Sequence, residues 1–326
     1  MRSADAMRPA RRVAHRTTRC QHRAFSISVP RCYSAHGLTA RGAADRLVSE
    51  FGGKSVTRRQ LLDGNQLQKL ALTLGRPRIG AVNISEDAPP TGTPVPPGYH
   101  LVYFTPNGME DELGADGTDR TFNAPSPFTR RMWAGGTMKW PGAGSENSGD
   151  SPLLRVGDVA EERTRLVSAT VKKSRSAGEM VLVEVEREFW TSRGLALVDQ
   201  RSWIFRPELD LEVEAEPPKP LDVDIRGPTE IKDIHYNEDW TRRVEGHPGL
   251  VVHGPLNLIN MLDYWRDVHS DGKDPREISY RAMSPVYAGE TYSIRTEGVS
   301  MTDRGRSLDV LADKNGVVCM KGHIVG

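Results

Sequence analysis

The sequence of 326 residues is short of cysteine, of long apolar runs and of net charge, and each shortage excludes something. Of its three cysteines, Cys20 and Cys32 fall within the first 36 residues, leaving Cys319 alone beyond them. A single cysteine makes neither an internal disulfide nor a cysteine-based metal site. His-x-x-x-His and Cys-x-x-Cys spacings are absent too, so the chemistry has to come from ordinary side chains. No apolar run approaches the roughly 20 residues that span a bilayer. The longest, such as Met180 to Val183 and Gly249 to Val252, are strand-sized. A formal net charge of +1 argues against a nucleic-acid binder, whose surface carries a basic excess. The glycines form neither a P-loop nor a dinucleotide fingerprint. What remains, 37% hydrophobic and 27% charged, is a globular composition with room for two domains.

The charge is unevenly placed. Residues 1–36 hold eight arginines against one acid, Asp5, and are rich in Ser, Thr and Ala. Arginine-rich and acid-poor is the composition of a mitochondrial transit peptide, drawn inward by the membrane potential. The expected address is the mitochondrial matrix, with the folded protein starting near residue 37.

Beyond that point the leucines 61, 62, 67, 70 and 72 follow Thr57 to Gln60 at a helical rhythm, ended by Gly75 and Pro77. Pro89 to Gly98 and Pro141 to Asp150 read as loop. Arg163 to Pro207 reads as strand, with Met180 to Phe189 passing from an apolar run into alternation and Gly194 breaking the pattern. An acidic, proline-containing stretch follows, and residues 211–223 read as a stiff linker between a first unit, 37–210, and a second, 224–326. In the second unit a short helix is expected at Glu238 to Val244. A longer one opens at Gly254-Pro255, proline being favoured in a first turn because its missing N–H has no intrahelical acceptor there. Apolar residues at 256, 258, 259, 261, 262 and 265 cover most of its circumference, which predicts burial. Four strand segments come next, Ile278 to Val286, Thr291 to Ser300, Ser307 to Ala312 and Val317 to Val325, with Asn315-Gly316 as a hairpin signal. A buried helix followed by antiparallel strands describes a sheet wrapped around one helix. The first half has the same ingredients in blurred form, consistent with a duplicated pair.

Thr229 to Asp239, followed by Glu245 to Leu256, resembles the hydratase core of the MaoC-type hot-dog enzymes. More narrowly, it is similar to the mitochondrial 3-hydroxyacyl-thioester dehydratase type 2 group and the mesaconyl-C4-CoA hydratases. Gly98 to Thr105, Arg130 to Gly136 and Asp313 to Gly322 resemble further stretches of that group, in the same order. The resemblance implies an α+β double hot-dog, each unit an antiparallel sheet wrapped around a central helix, with the second unit catalytic. It implies a hydro-lyase that interconverts an (R)-3-hydroxyacyl and a trans-2-enoyl thioester. No separate cofactor is expected, because CoA or phosphopantetheine arrives as part of the substrate. The partner is then an acyl-CoA or an acyl carrier protein, and a homodimer is possible.

Hydration of an enoyl thioester needs a base for water, a proton for C2 and donors for the charge growing on the thioester oxygen. His235 sits at the family's motif histidine and is the acid/base candidate. The family carries Asp five positions before it, or Asn in the mitochondrial type; Glu230 stands there in this chain, one methylene longer, with Asp233 and Asn237 as alternatives for the role. Gly254, at the mouth of the long helix, is the oxyanion candidate, since free N–H groups and the helix dipole favour negative charge there. His253 beside it is expected to be a packed, hydrogen-bonding residue near the substrate. No role is expected for His247. Trp133, Trp140 and Trp265 read as core or domain packing, and Arg130 and Arg131 as a solvated pair. Two other readings fit the same pattern: a hot-dog thioesterase using Glu230 against the carbonyl, and a non-catalytic thioester-binding subunit.

Overall fold

A computed structural model describes residues 37–326 except 106–107, 110–111, 115–118, 145–150, 176–177, 209–234 and 303–304. The expected transit peptide, the expected linker and Glu230 lie outside the described residues.

The first element is helix α1, Ala40–Phe51, capped by Thr39, whose hydroxyl accepts the Gly42 N–H at 3.1 Å. Ala40, Ala43, Ala44 and Leu47 recur at helical spacing and are all buried. Strand β1 is Ser55–Leu61 and helix α2 Gly64–Thr73, followed by a small hairpin of β2, Arg78–Ile79, and β3, Val82–Asn83. The long strands are β4, Arg130–Lys139; β5, Val159–Ser174; β6, Gly178–Thr191; and β7, Gly194–Arg206. Helices α3, Glu238–Arg243, and α4, Gly254–Val268, precede β8, Glu277–Ala282; β9, Ser293–Thr302; β10, Gly305–Lys314; and β11, Val317–Val325.

Nine of the strands form one antiparallel sheet in the order β1-β5-β6-β7-β4-β8-β11-β10-β9. The halves join through β4 and β8, in register from Gly135 opposite Arg281 to Lys139 opposite Glu277. Helix α1 lies on β5 and β6, closing an apolar cluster with Val181, Val183, Val185 and Phe205. Helix α4 packs on β10 and β11, with Leu258, Met261, Leu262 and Trp265 almost wholly buried, as its all-round apolar pattern predicts. The result is the expected α+β hot-dog architecture, a helix set against the strands of each half. Among the described residues no helix is long and apolar enough to cross a membrane.

Two expectations need correction. The leucine rhythm from residue 57 is a helix only from Gly64. Residues 55–61 instead pair with β5, alternating in burial as a strand does. Asp63 starts the helix by accepting the Gln66 N–H at 2.8 Å. The ladder of β8 also stops at Ala282 rather than running to Val286. Met283 donates to the Cys319 carbonyl at 2.9 Å, and the chain turns away through Pro285. The last hairpin is as expected: Asn315 and Gly316 both take positive φ, 50° and 81°.

Candidate active site

The turn away from β8 assembles the site. Val286 accepts the Val252 N–H at 2.7 Å, and Val251 bridges to Tyr287, so residues 250–253 run along the departing chain. His235 lies two residues before Asn237, which caps α3 by accepting the Trp240 N–H at 2.9 Å. The His235 Nδ1 is 2.6 Å from the Val251 carbonyl oxygen. A carbonyl oxygen only accepts, so Nδ1 carries the hydrogen and the neutral ring has its lone pair on Nε2. His253 follows as the residue before α4, and its ring meets that of His235 edge to face.

Gly254 opens α4, and as the first helical residue its N–H has no intrahelical acceptor. Pro255 has no N–H at all, so the donor at the positive end of this 15-residue helix belongs to Gly254. The space beside its α-carbon belongs to Trp133 of β4. A Cβ there would overlap Cε3 of that indole and lie 3.0 Å from Cζ3. Packing against Trp133 is by itself enough to require glycine here. Trp133 reaches this point beside an irregularity in the β4 register, between Trp133 and Gly135.

His235, His253, Gly254 and Trp133 line one cavity of about 1120 Å³. His253 keeps surface open to the cavity although protein surrounds it. Desolvation, then the nearby His235 and Arg201, push its pKa down to about 4, so it is neutral around pH 7. His247, expected to be idle, also faces the cavity; its Nδ1 is 3.5 Å from the Tyr287 hydroxyl, and burial lowers its pKa. Trp140 and Trp265 are buried packing residues, as expected.

The arginine pair is not on a solvated face. Arg130 donates from Nε to a Glu245 carboxylate oxygen and from Nη2 to the Glu245 carbonyl, both at 2.9 Å, and so holds the loop before His247. Arg131 donates to Asn123 and stacks over Trp203 at 4.9 Å.

A polar group on the cavity wall, drawn mostly from the first half, was not anticipated. His100, Glu162, Arg187, Arg201 and Tyr280 line the same cavity, and Asp199 stands behind Arg201. A signal for it exists in the strands. Val181, Val183, Val185 and Phe189 form the buried face of β6, and Arg187 occupies the in-phase position between them. On β7 Leu197, Trp203 and Phe205 do the same around Asp199 and Arg201. A charge in phase with an apolar strand face marks a buried polar contact.

Residues 98–288 match the family described as hydroxyacyl-thioester dehydratase type 2, more than half of the chain. The chain belongs to that family. As a member of the type 2 dehydratases, it has His100, Trp133, His235, His253, Gly254 and Tyr280 all inside the matched span. Two relatives agree with this. Mesaconyl-C(4)-CoA hydratase of Chloroflexus aurantiacus is 26% identical over 224 residues, covering 61% of this chain and 74% of that protein. The mitochondrial hydroxyacyl-thioester dehydratase type 2 of Schizosaccharomyces pombe is 25% identical over 232 residues, covering 62% and 77%. The fold is shared with a MaoC-like dehydratase from Phytophthora capsici, at a TM-score of 0.57 and 13% identity, covering 86% of this chain and 98% of that one. It is also shared with HtdX from Mycobacterium tuberculosis, at 0.51 and 17%, covering 83% and 99%.

Proposed function

We propose that this member of the type 2 dehydratases is a hydro-lyase interconverting an (R)-3-hydroxyacyl thioester and its trans-2-enoyl form, with His235 as acid and base. The observation that carries the reading is that His235, its Nδ1 held by the Val251 carbonyl, and Gly254, the first residue of α4, line one cavity. The names of the two relatives, a hydratase and a dehydratase of thioesters, support the same reaction class.

In the hydration direction, His235 Nε2 takes a proton from water as the water oxygen bonds to C3. The C2–C3 π electrons move toward the thioester carbonyl, whose oxygen gains the charge. The Gly254 N–H and the positive end of α4 hold that charge. Imidazolium His235 then returns a proton to C2 on the same face, and the carbonyl re-forms. Dehydration is the reverse sequence. His253, neutral near pH 7, keeps a second positive charge away from this base. Glu230 has the water-orienting role in this scheme. CoA or phosphopantetheine is carried by the substrate, and no separate cofactor enters this scheme. For location we propose the mitochondrial matrix, supported by the composition of residues 1–36 and by the mitochondrial S. pombe relative.

The test is the loss of enoyl-thioester absorbance with trans-2-enoyl-CoA and with the matching acyl carrier protein ester, for the protein and for His235→Ala. The expected loss is about a hundredfold or more, the scale of a general acid/base. Unchanged turnover in His235→Ala overturns the assignment of the base. Release of free thiol without loss of the enoyl group makes the protein a thioesterase. Tight binding of both esters without turnover makes it a binding subunit.

A further inference from the structure

The polar group beside the reacting site has more hydrogen-bonding capacity than the protein uses. Arg201 donates from Nε and Nη2 to one oxygen of Asp199, at 2.8 and 2.6 Å, and Arg187 Nη1 lies 3.1 Å from a Glu162 oxygen. Yet Arg187 Nε, the second oxygen of Asp199, His100 Nε2 and the Tyr280 hydroxyl are all buried without a hydrogen-bond partner. The nearest acid to His100 Nε2, Asp199, is 3.6 Å away, beyond hydrogen-bond reach. Buried polar atoms in native proteins are nearly always partnered. Such exceptions on His100, Arg187 and Tyr280 of the cavity wall, with Asp199 directly behind it, point to a group that comes from outside the chain.

Its chemistry follows from charge and from the mixture of atoms. Two arginines face two carboxylates, so the box is balanced. Burial lowers the His100 pKa against the pull of Asp199, which keeps the ring neutral. Burial likewise raises the Tyr280 pKa and keeps the phenol protonated. A carboxylate entering here would add a third acid to two arginines already matched by two carboxylates, and a hydrocarbon end would leave every orphan atom dry. A group that both donates and accepts, without charge, satisfies the wall. The box is also near the reacting carbons. The Tyr280 ring lies 4.9 Å from that of Trp133, the indole that packs on Gly254.

We propose that His100, Arg187 and Tyr280, backed by Asp199, form a second recognition site in the cavity, taking a neutral hydroxyl or carbonyl on the acyl part of a short thioester substrate. The proposal deepens the dehydratase reading, whose thioester it assumes.

Binding is measured by calorimetry with saturated acyl-CoA esters, which cannot be hydrated, so the result is independent of turnover. The probes are five- and six-carbon sets ending in methyl, hydroxyl or carboxylate. In at least one set the hydroxyl-ended ester is expected to bind about tenfold or more tighter than the methyl-ended one, with the carboxylate-ended ester weaker than the hydroxyl. Tyr280→Phe, which removes one oxygen and keeps the ring, is expected to narrow the hydroxyl-to-methyl ratio severalfold. Loss of affinity for both esters in equal measure would mean that Tyr280 only shapes the wall. Equal or tighter binding of the methyl-ended esters overturns the proposal and leaves the box as internal ion pairing completed by water. Tightest binding of the carboxylate-ended ester overturns it as well, because the balance of charge is its basis. If enoyl-CoA is hydrated but the hydroxyl preference is missing, the second site fails and the dehydratase reading stands. Absence of binding by any of these esters removes both.

Discussion

The imidazoles of His235 and His253 meet with ring centroids 4.8 Å apart and planes at 74°. They come from segments 18 positions apart in sequence, and the backbone carbonyl of Val251 fixes one of them. Burial, with a second imidazole alongside, makes His253 a weak base.

That relationship sets a pH dependence. With a folded pKa of about 4 against an ordinary 6.5, His253 binds fewer protons folded than unfolded across that window. Its contribution is therefore complete above pH 6.5 and is lost as pH falls toward 4, levelling off below. Solvent in the cavity softens the effect, because the ring keeps accessible surface. Melting temperatures of the protein and of His253→Phe, followed from pH 7 to 4, should show a shallower decline for the variant. Parallel curves would show that His253 titrates normally.

Gly254→Ala places a methyl group inside the indole of Trp133. Helix propensity alone favours alanine by up to about 1 kcal/mol, but overpacking costs about 1–3 kcal/mol, so the net effect is destabilising. Urea unfolding measures it, and a change in tryptophan emission reports the displaced ring. Wild-type stability and emission would mean that Trp133 moves aside freely.

Arg130→Met removes both bonds to Glu245, while Glu245→Gln leaves the one to its backbone carbonyl. Both side chains are only 15% exposed. Hydrogen bonds to charged groups contribute about 1.5–3 kcal/mol, so Arg130→Met should cost about 2 kcal/mol and Glu245→Gln less. A double-mutant cycle from urea midpoints should return a coupling of about 1 kcal/mol or more; additivity would mean that the pair contributes independently.

Asp263 on α4 is 3% exposed, within 2.5 Å of Arg76, close to Arg266 and 3.1 Å from the Tyr99 hydroxyl. It ties the second-half helix to residues of the first half. Asp263→Asn leaves arginines around a site without an anion, and breaking such a pair costs about 3–5 kcal/mol. The low end is expected, because Arg76 keeps Asp267 at 2.7 Å. A loss below about 1 kcal/mol in urea unfolding would show that the arginines find other partners.

Much of the second half is legible from local pattern. The Asn237 cap, Gly254-Pro255, the apolar circumference of α4 and the Asn315-Gly316 turn each act within a few residues, and each forms as the sequence implies. The first half is less so. The leucines at 61 and 62 continue the rhythm of α2, but Leu61 closes a strand whose partners, in β5, are about a hundred residues away. A helical rhythm says nothing about a distant edge that needs pairing.

The site divides in the same way. His235, His253 and Gly254 stand out because motif and helix start are local properties of the chain, so the sequence alone determined the family, the hot-dog core and the candidate base. Only the tertiary structure decided that Gly254 makes room for Trp133, that Arg130 holds Glu245, and that Arg187, His100 and Tyr280 meet on one wall with Asp199 behind them. Those residues sit on four separate segments joined through strand register, with Arg187 opposite Asp199, and through the β4–β8 junction that carries Tyr280 to Gly136. Register is settled by the collective burial of both sheet faces, a property of the folded sheet that no single segment contains.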